Sequence, residues 1–253
     1  MCEPPCIAPV WDAKEKVLVF EQQQHRTYAR GLTKTIEADF MPTFSVRDAL
    51  QSLPTRKRKK HGRREGNLVD SEVTRWANDG FIACNDARLD LIRAALADRE
   101  WIPIAAQYPV GCRSMRLATK VDLVCRRLDG SIVLVELKCG FDDYFDVAQG
   151  CMLHPFQTVG ATLRNRSFLQ LMLTAYMFQH CKHRLSDKPF AGAYLLHVFE
   201  SDAGDLRHTI EEAPAWTRDD TLVRRCVAVL TDSRSTSADQ RARVLRNAKR
   251  RKK

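Results

Sequence analysis

Residues 116 to 139 read RLATKVDLVCRRLDGSIVLVELKC and carry the strongest secondary-structure signal of the chain. It contains two runs rich in apolar and β-branched residues, 116–126 and 131–139, which predict two β-strands. Between them stands Leu128-Asp129-Gly130, a sequence typical of a hairpin turn. The stretch therefore predicts an antiparallel hairpin.

Three charged side chains interrupt the apolar pattern of this hairpin. Side chains alternate between the two faces of a strand, so Glu136 and Lys138 share a face with Ile132 and Leu134. Asp122 stands in an otherwise apolar part of the preceding strand. Burying charged groups is costly unless they have partners or a ligand, so the three residues are candidates for a functional site.

The length of the turn decides whether the two acids meet. Facing residues of an antiparallel pair have a constant index sum and share a face of the sheet. A two-residue loop would place Asp122 opposite Leu137, and a three-residue loop places it opposite Glu136. A three-residue loop commonly ends in a glycine with a positive φ, which Gly130 supplies. We therefore predict the three-residue loop.

The remaining pattern predicts an α/β protein. Val69, Val73, Trp76 and Ala77 fall on one face of a helix. Further helices are expected at 85–100, at 167–181 and from Thr217 onward, and further strands at 101–110 and 191–199. We expect an N-terminal extension over 1–65 that is loosely structured, one domain over 66–235, and a basic tail over 236–253.

These residues together resemble the PD-(D/E)XK nucleases, and within them the RecB-like and phage-exonuclease-like branch. The resemblance covers roughly residues 66 to 199 and includes Asp122 on one strand and Glu136-Leu137-Lys138 on the next. Gln170 stands in the helix that follows, where the family also has a glutamine.

The chain departs from the family pattern at three places. The family has a histidine in its first helix where this sequence has Asp70, and often an acid where this sequence has Gln107. The family has a tyrosine four residues after its glutamine, whereas this chain has Thr174 there and Tyr176 two residues later. Thr174 shares the helical face of Gln170, and we expect Tyr176 to belong to the core.

The resemblance implies a restriction-endonuclease-like core, in which a mixed four-stranded sheet is flanked by helices in the order helix, three strands, helix, strand. Asp122 and Glu136 would hold Mg²⁺ or Mn²⁺, because hard cations take oxygen ligands. The carbonyl of Leu137 is expected as a further ligand, and Glu72 as a possible extra one. Lys138 would orient the attacking water and stabilise charge on the phosphate.

The same resemblance assigns Gln170, Asp70 and Thr174 to the substrate side of the site. Gln170 would either contact the DNA backbone or position an acidic ligand. The function implied is a metal-dependent DNA nuclease, more often an exonuclease in this branch. The alternative is a protein that keeps the nuclease fold without activity and serves as a nucleic-acid-binding or scaffold protein.

The charge of the chain is concentrated in two short tracts. The formal net charge is +10, and residues 56–64 hold seven Lys or Arg while residues 241–253 hold eight. Such tracts typically bind polyanions or direct nuclear import, and a solubilising tail is the alternative. They favour DNA as the partner and a nuclear location.

Other classes of protein are disfavoured by what the sequence contains. No apolar run approaches the roughly 20 residues of a membrane span, and the N-terminus differs from a secretory signal. The nine cysteines have no framework spacing, so we expect reduced thiols. A phosphate-binding glycine loop is not found, so no nucleotide cofactor is expected.

Overall fold

The computed structural model describes residues 9–12, 17–22, 25–41, 63–80, 86–141, 145–181, 183–201 and 203–231. The strands assigned within these residues are β1 (Val10–Asp12), β2 (Val17–Gln22), β3 (His25–Tyr28), β4 (Arg30–Gly31), β5 (Ile102–Cys112), β6 (Leu117–Arg126), β7 (Ile132–Phe141), β8 (Phe190–Glu200) and β9 (Leu206–Glu212). The helices are α1 (Leu32–Asp39), α2 (Arg63–Asp79), α3 (Ala87–Ala97), α4 (Leu163–His180) and α5 (220–231).

The predicted hairpin forms the centre of the main sheet. β6 pairs antiparallel with β5 along one edge, and on the other edge it pairs antiparallel with β7 and parallel with the short β4. β8 continues the sheet parallel to β7, and β9 closes it antiparallel to β8. The protein is thus α/β with a mixed sheet flanked by helices, as predicted.

The number of strands differs from the prediction. Within the described residues the main sheet has six strands, because β4 and β9 join the four that were expected. β4 is only two residues long, too short for any periodic pattern to reveal it. β9 reads LRHTIEE and is only partly buried, so its apolar signal is weak.

The turn between β6 and β7 is the predicted three-residue loop. The register pairs Leu123 with Val135 and Arg126 with Ile132, which is the index sum of the three-residue loop. Gly130 has φ 82° and donates its N–H to the carbonyl of Arg127 at 3.0 Å. The prediction is confirmed, including the left-handed glycine.

The helix starts follow capping side chains. α3 begins after Asp86, which accepts a hydrogen bond from the N–H of Arg88 at 2.9 Å. α4 begins four residues earlier than predicted, capped by Thr162. Among the described residues, no helix has the length and apolar character that crossing a membrane requires.

The predicted start of the last helix is wrong by a few residues. Thr217 lies in a single 3-10 turn, Ala215–Arg218, and its hydroxyl donates to the carbonyl of Pro214. The side chain of Asp219 instead accepts from the N–H of Thr221 at 2.8 Å and so caps α5. A carboxylate competes better than a hydroxyl for the free N–H groups of a helix start, because it is charged.

Two helical layers cover the two faces of the sheet. One face packs against α1, α4 and α5, with Leu134 of β7 in that core. The other face packs against α2 and α3, with Val135 of β7 in that core. The predicted stripe of α2 is confirmed, because Val69 and Val73 are each about 1% exposed.

The N-terminal region is more ordered than expected. Strands β1, β2 and β3 form a three-stranded antiparallel sheet, and Ile36 and Phe40 of α1 and its C-terminal end belong to the main core. This structure depends on contacts distant in sequence, which local apolar content does not reveal. The basic tract 56–64 lies almost entirely outside the described residues, and the tail 236–253 lies wholly outside them.

Gly111 of β5 is the point at which the three-stranded sheet docks. A Cβ atom at this position would stand 2.9 Å from the Phe20 ring, 2.9 Å from the Leu117 carbonyl oxygen and 3.0 Å from the Ala118 Cβ. Only a residue without a side chain allows β2 to approach this closely.

We predict that Gly111→Ala destabilises the protein by about 1 to 3 kcal/mol, because the added methyl group overpacks this contact. Equilibrium urea unfolding measures the change. Gly160→Ala is the matched control, since the nearest atoms to its Cβ would be 3.9 Å away. Equal stability of the two variants would contradict the docking contact.

Candidate active site

The candidate site lies where β6 and β7 separate. The paired register of the two strands ends at Leu123 and Val135, so Asp122 and Glu136 are the next residues on each strand. β4 pairs with β6 at Leu117 and Ala118, on the edge that β7 also uses. Asp122 therefore lies in the gap that β4 and β7 leave between them along β6.

Asp122 is held by the backbone of β7. Its Oδ2 atom accepts a hydrogen bond from the N–H of Leu137 at 2.9 Å. This contact brings the Asp122 carboxylate beside the Glu136-Leu137-Lys138 segment. The paired register ends one residue before Asp122 would face Glu136, so the predicted pairing of the two acids on one face stays a prediction. The two acids are thus neighbours in space although fourteen positions apart in the chain.

The regular alternation of β6 changes at Asp122. Val121 and Val124 both pack in the core on the α4 side, whereas Leu123 packs in the core on the α2 side. Gln107 stands opposite Asp122 on β5 and has φ 51°, an unusual value for a residue other than glycine. Strained backbone of this kind often accompanies a functional site, because the surroundings must hold it in place.

Gln107 links two carboxylates through one amide group. Its Nε2 atom donates to Asp70 Oδ1 at 2.9 Å and to Asp122 Oδ1 at 3.2 Å. Burial raises the pKa of Asp70, and the nearby Asp122 raises it further, while the hydrogen bond from Gln107 acts in the opposite direction. The amide thus favours the charged form of Asp70 and bridges it to the neighbouring Asp122.

Glu136 is buried deeply, with 3% of its surface exposed. It accepts a hydrogen bond from Gln170 Nε2 at 2.7 Å and forms an ion pair with Lys138. Burial, together with the neighbouring charge of Asp122, raises the pKa of Glu136 to about 7. The site therefore concentrates more negative charge than its surroundings readily hold.

Lys138 supplies the positive charge of the site. Its side chain is 25% exposed, so the ammonium group is reachable from solvent. Burial by itself would lower the pKa of Lys138, but attraction to Glu136 and Asp122 outweighs that effect and raises it. Lys138 is therefore a cation at neutral pH.

Gln170 acts on an acid of the site. Its Nε2 atom binds Glu136, and its Oε1 atom accepts a hydrogen bond from the hydroxyl of Thr33 at 3.2 Å. Of the two roles that the sequence left open, this contact matches the positioning of an acidic ligand. Thr33 belongs to α1, so the N-terminal region also supports the site.

The other residues assigned from the sequence lie in different surroundings. Asp70 of α2 reaches the site through Gln107. Glu72 is 5% exposed and pairs with Arg75 of the same helix at 3.2 Å. Thr174 of α4 is only 2% exposed, so its side chain is too buried to contact a large substrate. The metal role expected for Glu72 stays a prediction.

His197 borders the site on the neighbouring strand. It pairs in register with Lys138 and stacks on Phe145 with ring centroids 4.1 Å apart. Burial lowers the pKa of His197 to about 4, with the charge of Arg164 as a second cause. At neutral pH the imidazole is uncharged and does not compete with Lys138 for the acids.

Several of these contacts have little or no signal in the sequence. Gln107 is visible in the sequence only as a glutamine where the resemblance led us to expect an acid, and its role depends on the register of β5 against β6. Thr33 lies outside the pattern altogether, since only tertiary packing brings α1 to α4. A polar residue opposite an acid on adjacent strands is the one signal that would have found Gln107.

The donor groups fit a hard divalent cation. Mg²⁺ is commonly bound by one or two carboxylates together with waters and substrate oxygens, and Asp122 and Glu136 provide two. The carbonyl of Leu137 directly follows Glu136 in the chain, and the N–H of the same residue binds Asp122. Among the described residues, no three His, Cys, Asp or Glu side chains group as a preformed metal cluster.

Comparison with known proteins adds no assignment. The sequence matches no model of a known protein family, and a search of curated proteins finds no relative. The geometry described above therefore carries the functional argument.

The raised pKa of Glu136 predicts a pH-dependent stability. The carboxyl group titrates near 4.5 in the unfolded chain and near 7 in the fold, so the folded state holds the proton longer. This contribution is fully present below the lower pKa and is lost as the pH rises through the higher one. Urea unfolding in EDTA between about pH 4 and about pH 8 measures it.

Glu136→Gln should show a flatter pH dependence over this range, because the amide does not ionise. Glu212→Gln is an exposed control and should follow the wild-type curve. The stability of the wild type relative to Glu136→Gln should fall between the two pKa values, and a difference that stays constant or grows there would contradict the electrostatic description of the site.

The bridging amide of Gln107 gives a second prediction. Gln107→Leu removes the shared donor and leaves Asp70 and Asp122 to repel each other, at a cost of about 1 to 3 kcal/mol at neutral pH. The loss should shrink in acid, where Asp70 is protonated and no longer needs a donor for its charged form. Urea unfolding at neutral and acid pH tests this, with Gln179→Leu on the exposed side of α4 as control. A loss independent of pH would mean that Gln107 acts by packing alone.

Proposed function

We propose that this protein is a metal-dependent nuclease that hydrolyses phosphodiester bonds in DNA. The observation that carries the proposal is the meeting of Asp122, Glu136 and Lys138 where β6 and β7 separate. Two acids and one ammonium group at a strand divergence suit the binding of a cation and a phosphate together.

The order of elements supports a restriction-endonuclease-like core of the PD-(D/E)XK type. α2 precedes the antiparallel strands β5, β6 and β7, and α4 then leads to β8. β8 lies parallel to β7, which makes the sheet mixed. In this view β4, β9 and the three-stranded sheet are additions to the core.

Each residue of the site has a chemical role in the proposed reaction. Asp122 and Glu136 would hold Mg²⁺ or Mn²⁺, and the bound cation would polarise the phosphate and lower the pKa of water. Lys138 would orient the attacking water and stabilise negative charge on the phosphate oxygens. Gln170 holds Glu136 in place, and the N–H of Leu137 holds Asp122.

The reaction is the addition of water across one ester bond. The water oxygen bonds to phosphorus, the bond from phosphorus to one ester oxygen breaks, and that oxygen takes up a proton. The products are a phosphomonoester end and a hydroxyl end. The two basic tracts would increase affinity for DNA and favour a nuclear location. Attack at DNA ends is the expected mode.

A second candidate function is nucleic-acid binding without hydrolysis. Gln107 favours it, because an amide stands where the related family often has an acid and donates to Asp122 Oδ1. That contact occupies an oxygen which a cation could otherwise use. Retention of Asp122, Glu136 and Lys138 in one place favours the enzyme.

Cleavage of labelled DNA tests the proposal. Purified protein is incubated with end-labelled linear DNA and with closed circular DNA, in Mg²⁺, Mn²⁺ or EDTA. We expect cation-dependent cleavage, with Asp122→Asn and Glu136→Gln reduced to the level in EDTA. Lys138→Ala should lose at least about 100-fold, and Lys138→Arg should not restore the full rate, since a planar guanidinium replaces a compact ammonium.

The controls are matched in chemistry. Asp187→Asn and Lys188→Ala change an exposed pair whose side chains are 73% and 52% exposed, and both should keep the wild-type rate. Digestion of linear DNA alone indicates an exonuclease, and loss of the closed circle indicates an endonuclease. DNA binding without cleavage under any cation would favour the second candidate function.

A further inference from the structure

The three-stranded sheet places an exposed tryptophan beside the candidate site. Trp11 of β1 is 46% exposed, and its neighbour Val10 is 52% exposed. The ammonium group of Lys120 lies 4.2 Å from the centroid of the Trp11 ring, a cation–π contact. Lys120 belongs to β6, two residues before Asp122.

The position of Trp11 is set by packing. Trp11 pairs in register with Leu18 of β2, which is buried against Ala118 of β6 together with Phe20. Phe20 in turn fills the space above Gly111. The Trp11 ring therefore belongs to a sheet that packs against β6, and the ring itself contacts Lys120 of β6.

Strand β6 carries both Lys120, which contacts the Trp11 ring, and Asp122 of the candidate site. Residues two apart on a strand share a face and are roughly 7 Å apart, so Ala118 and Lys120 face the three-stranded sheet together. Asp122 follows at the next step, where the alternation changes. The charge of Lys120 also acts on Asp70 of the site. Lys120 thus stands between the aromatic ring and the carboxylates.

An exposed tryptophan beside a lysine, next to the candidate site, is suited to binding a single-stranded nucleic acid. Single-stranded nucleic acids bind where aromatic rings stack on bases and basic side chains contact the backbone. Stacking requires the base to be free of its own neighbours, so a closed duplex does not offer it. A tryptophan together with a lysine therefore favours single-stranded DNA over a closed duplex.

We propose that Trp11 stacks on an unpaired base of the DNA strand bound at the site, while Lys120 contacts its backbone. This inference rests on the proposed function, because it assumes that the strand lies at the acids. It makes the substrate a single strand or a duplex end with unpaired bases. The three-stranded sheet, which carries Trp11, would then make the site prefer DNA with unpaired bases.

Binding in EDTA tests this inference without cleavage. Fluorescence anisotropy measures the affinity for a labelled single-stranded oligonucleotide and for a duplex stem that is closed at each end by a non-nucleotide glycol linker, so that it has no unpaired base, with the label in the stem. Trp11→Ala should lose about tenfold or more in affinity for the single strand. Trp11→Phe should lose less than about threefold, because a smaller ring still stacks.

The controls separate stacking from folding and from charge. Leu128→Ala changes another exposed apolar side chain, 70% exposed at the β6–β7 turn, and should bind both DNAs like the wild type. Urea unfolding of Trp11→Ala checks that the fold is kept. The closed duplex stem should bind both Trp11 variants and the wild type equally.

Two results would overturn the inference. One is an affinity of Trp11→Ala for the single strand within about twofold of the wild type, which is below the effect of one stacked base. The other is an equal loss for the closed duplex stem. If the wild type also cleaves DNA, either result removes the Trp11 role and leaves the proposed function intact. Trp11-dependent binding without any cleavage supports the stacking role and refutes the enzyme.

Discussion

Two carboxylates, those of Asp122 and Glu136, come together where the paired strands β6 and β7 separate, and the side chains around them must offset their charge. β6 and β7 are joined up to Leu123 and Val135, and the next pair of residues is Asp122 and Glu136. Burial, and after it the neighbouring charge of Asp122, raises the pKa of Glu136. Such a cost is tolerated only where partners offset it, and the surrounding elements supply those partners.

Each carboxylate is tied to a different layer of the protein. Asp122 is connected through Gln107 to Asp70 of α2, on one side of the sheet. Glu136 is connected through Gln170 of α4 to Thr33 of α1, on the other side. The two helical layers therefore meet at the site, and a shift of either layer would move one acid relative to the other.

The N-terminal region is part of the main core and also contributes contacts at the candidate site. β4 takes the edge of β6 that β7 leaves, α1 supports Gln170 through Thr33, and β1 places Trp11 beside Lys120. Within the described residues, the same segment thus contributes to the sheet, to the support of an acid and to the surface next to the site.

The hairpin and its register could be predicted from the sequence, because they depend on strand alternation and on a short turn that ends in Gly130. The sequence also marks Asp122, Glu136 and Lys138 as charged residues within apolar strands. Such signals are local and need no knowledge of the fold. The contacts of Gln107 and Thr33, the positions of β4 and β9, and the docking of Trp11 became visible only in the folded chain. These depend on contacts between segments far apart in the chain, where packing sets the partner of each side chain and no local period records it.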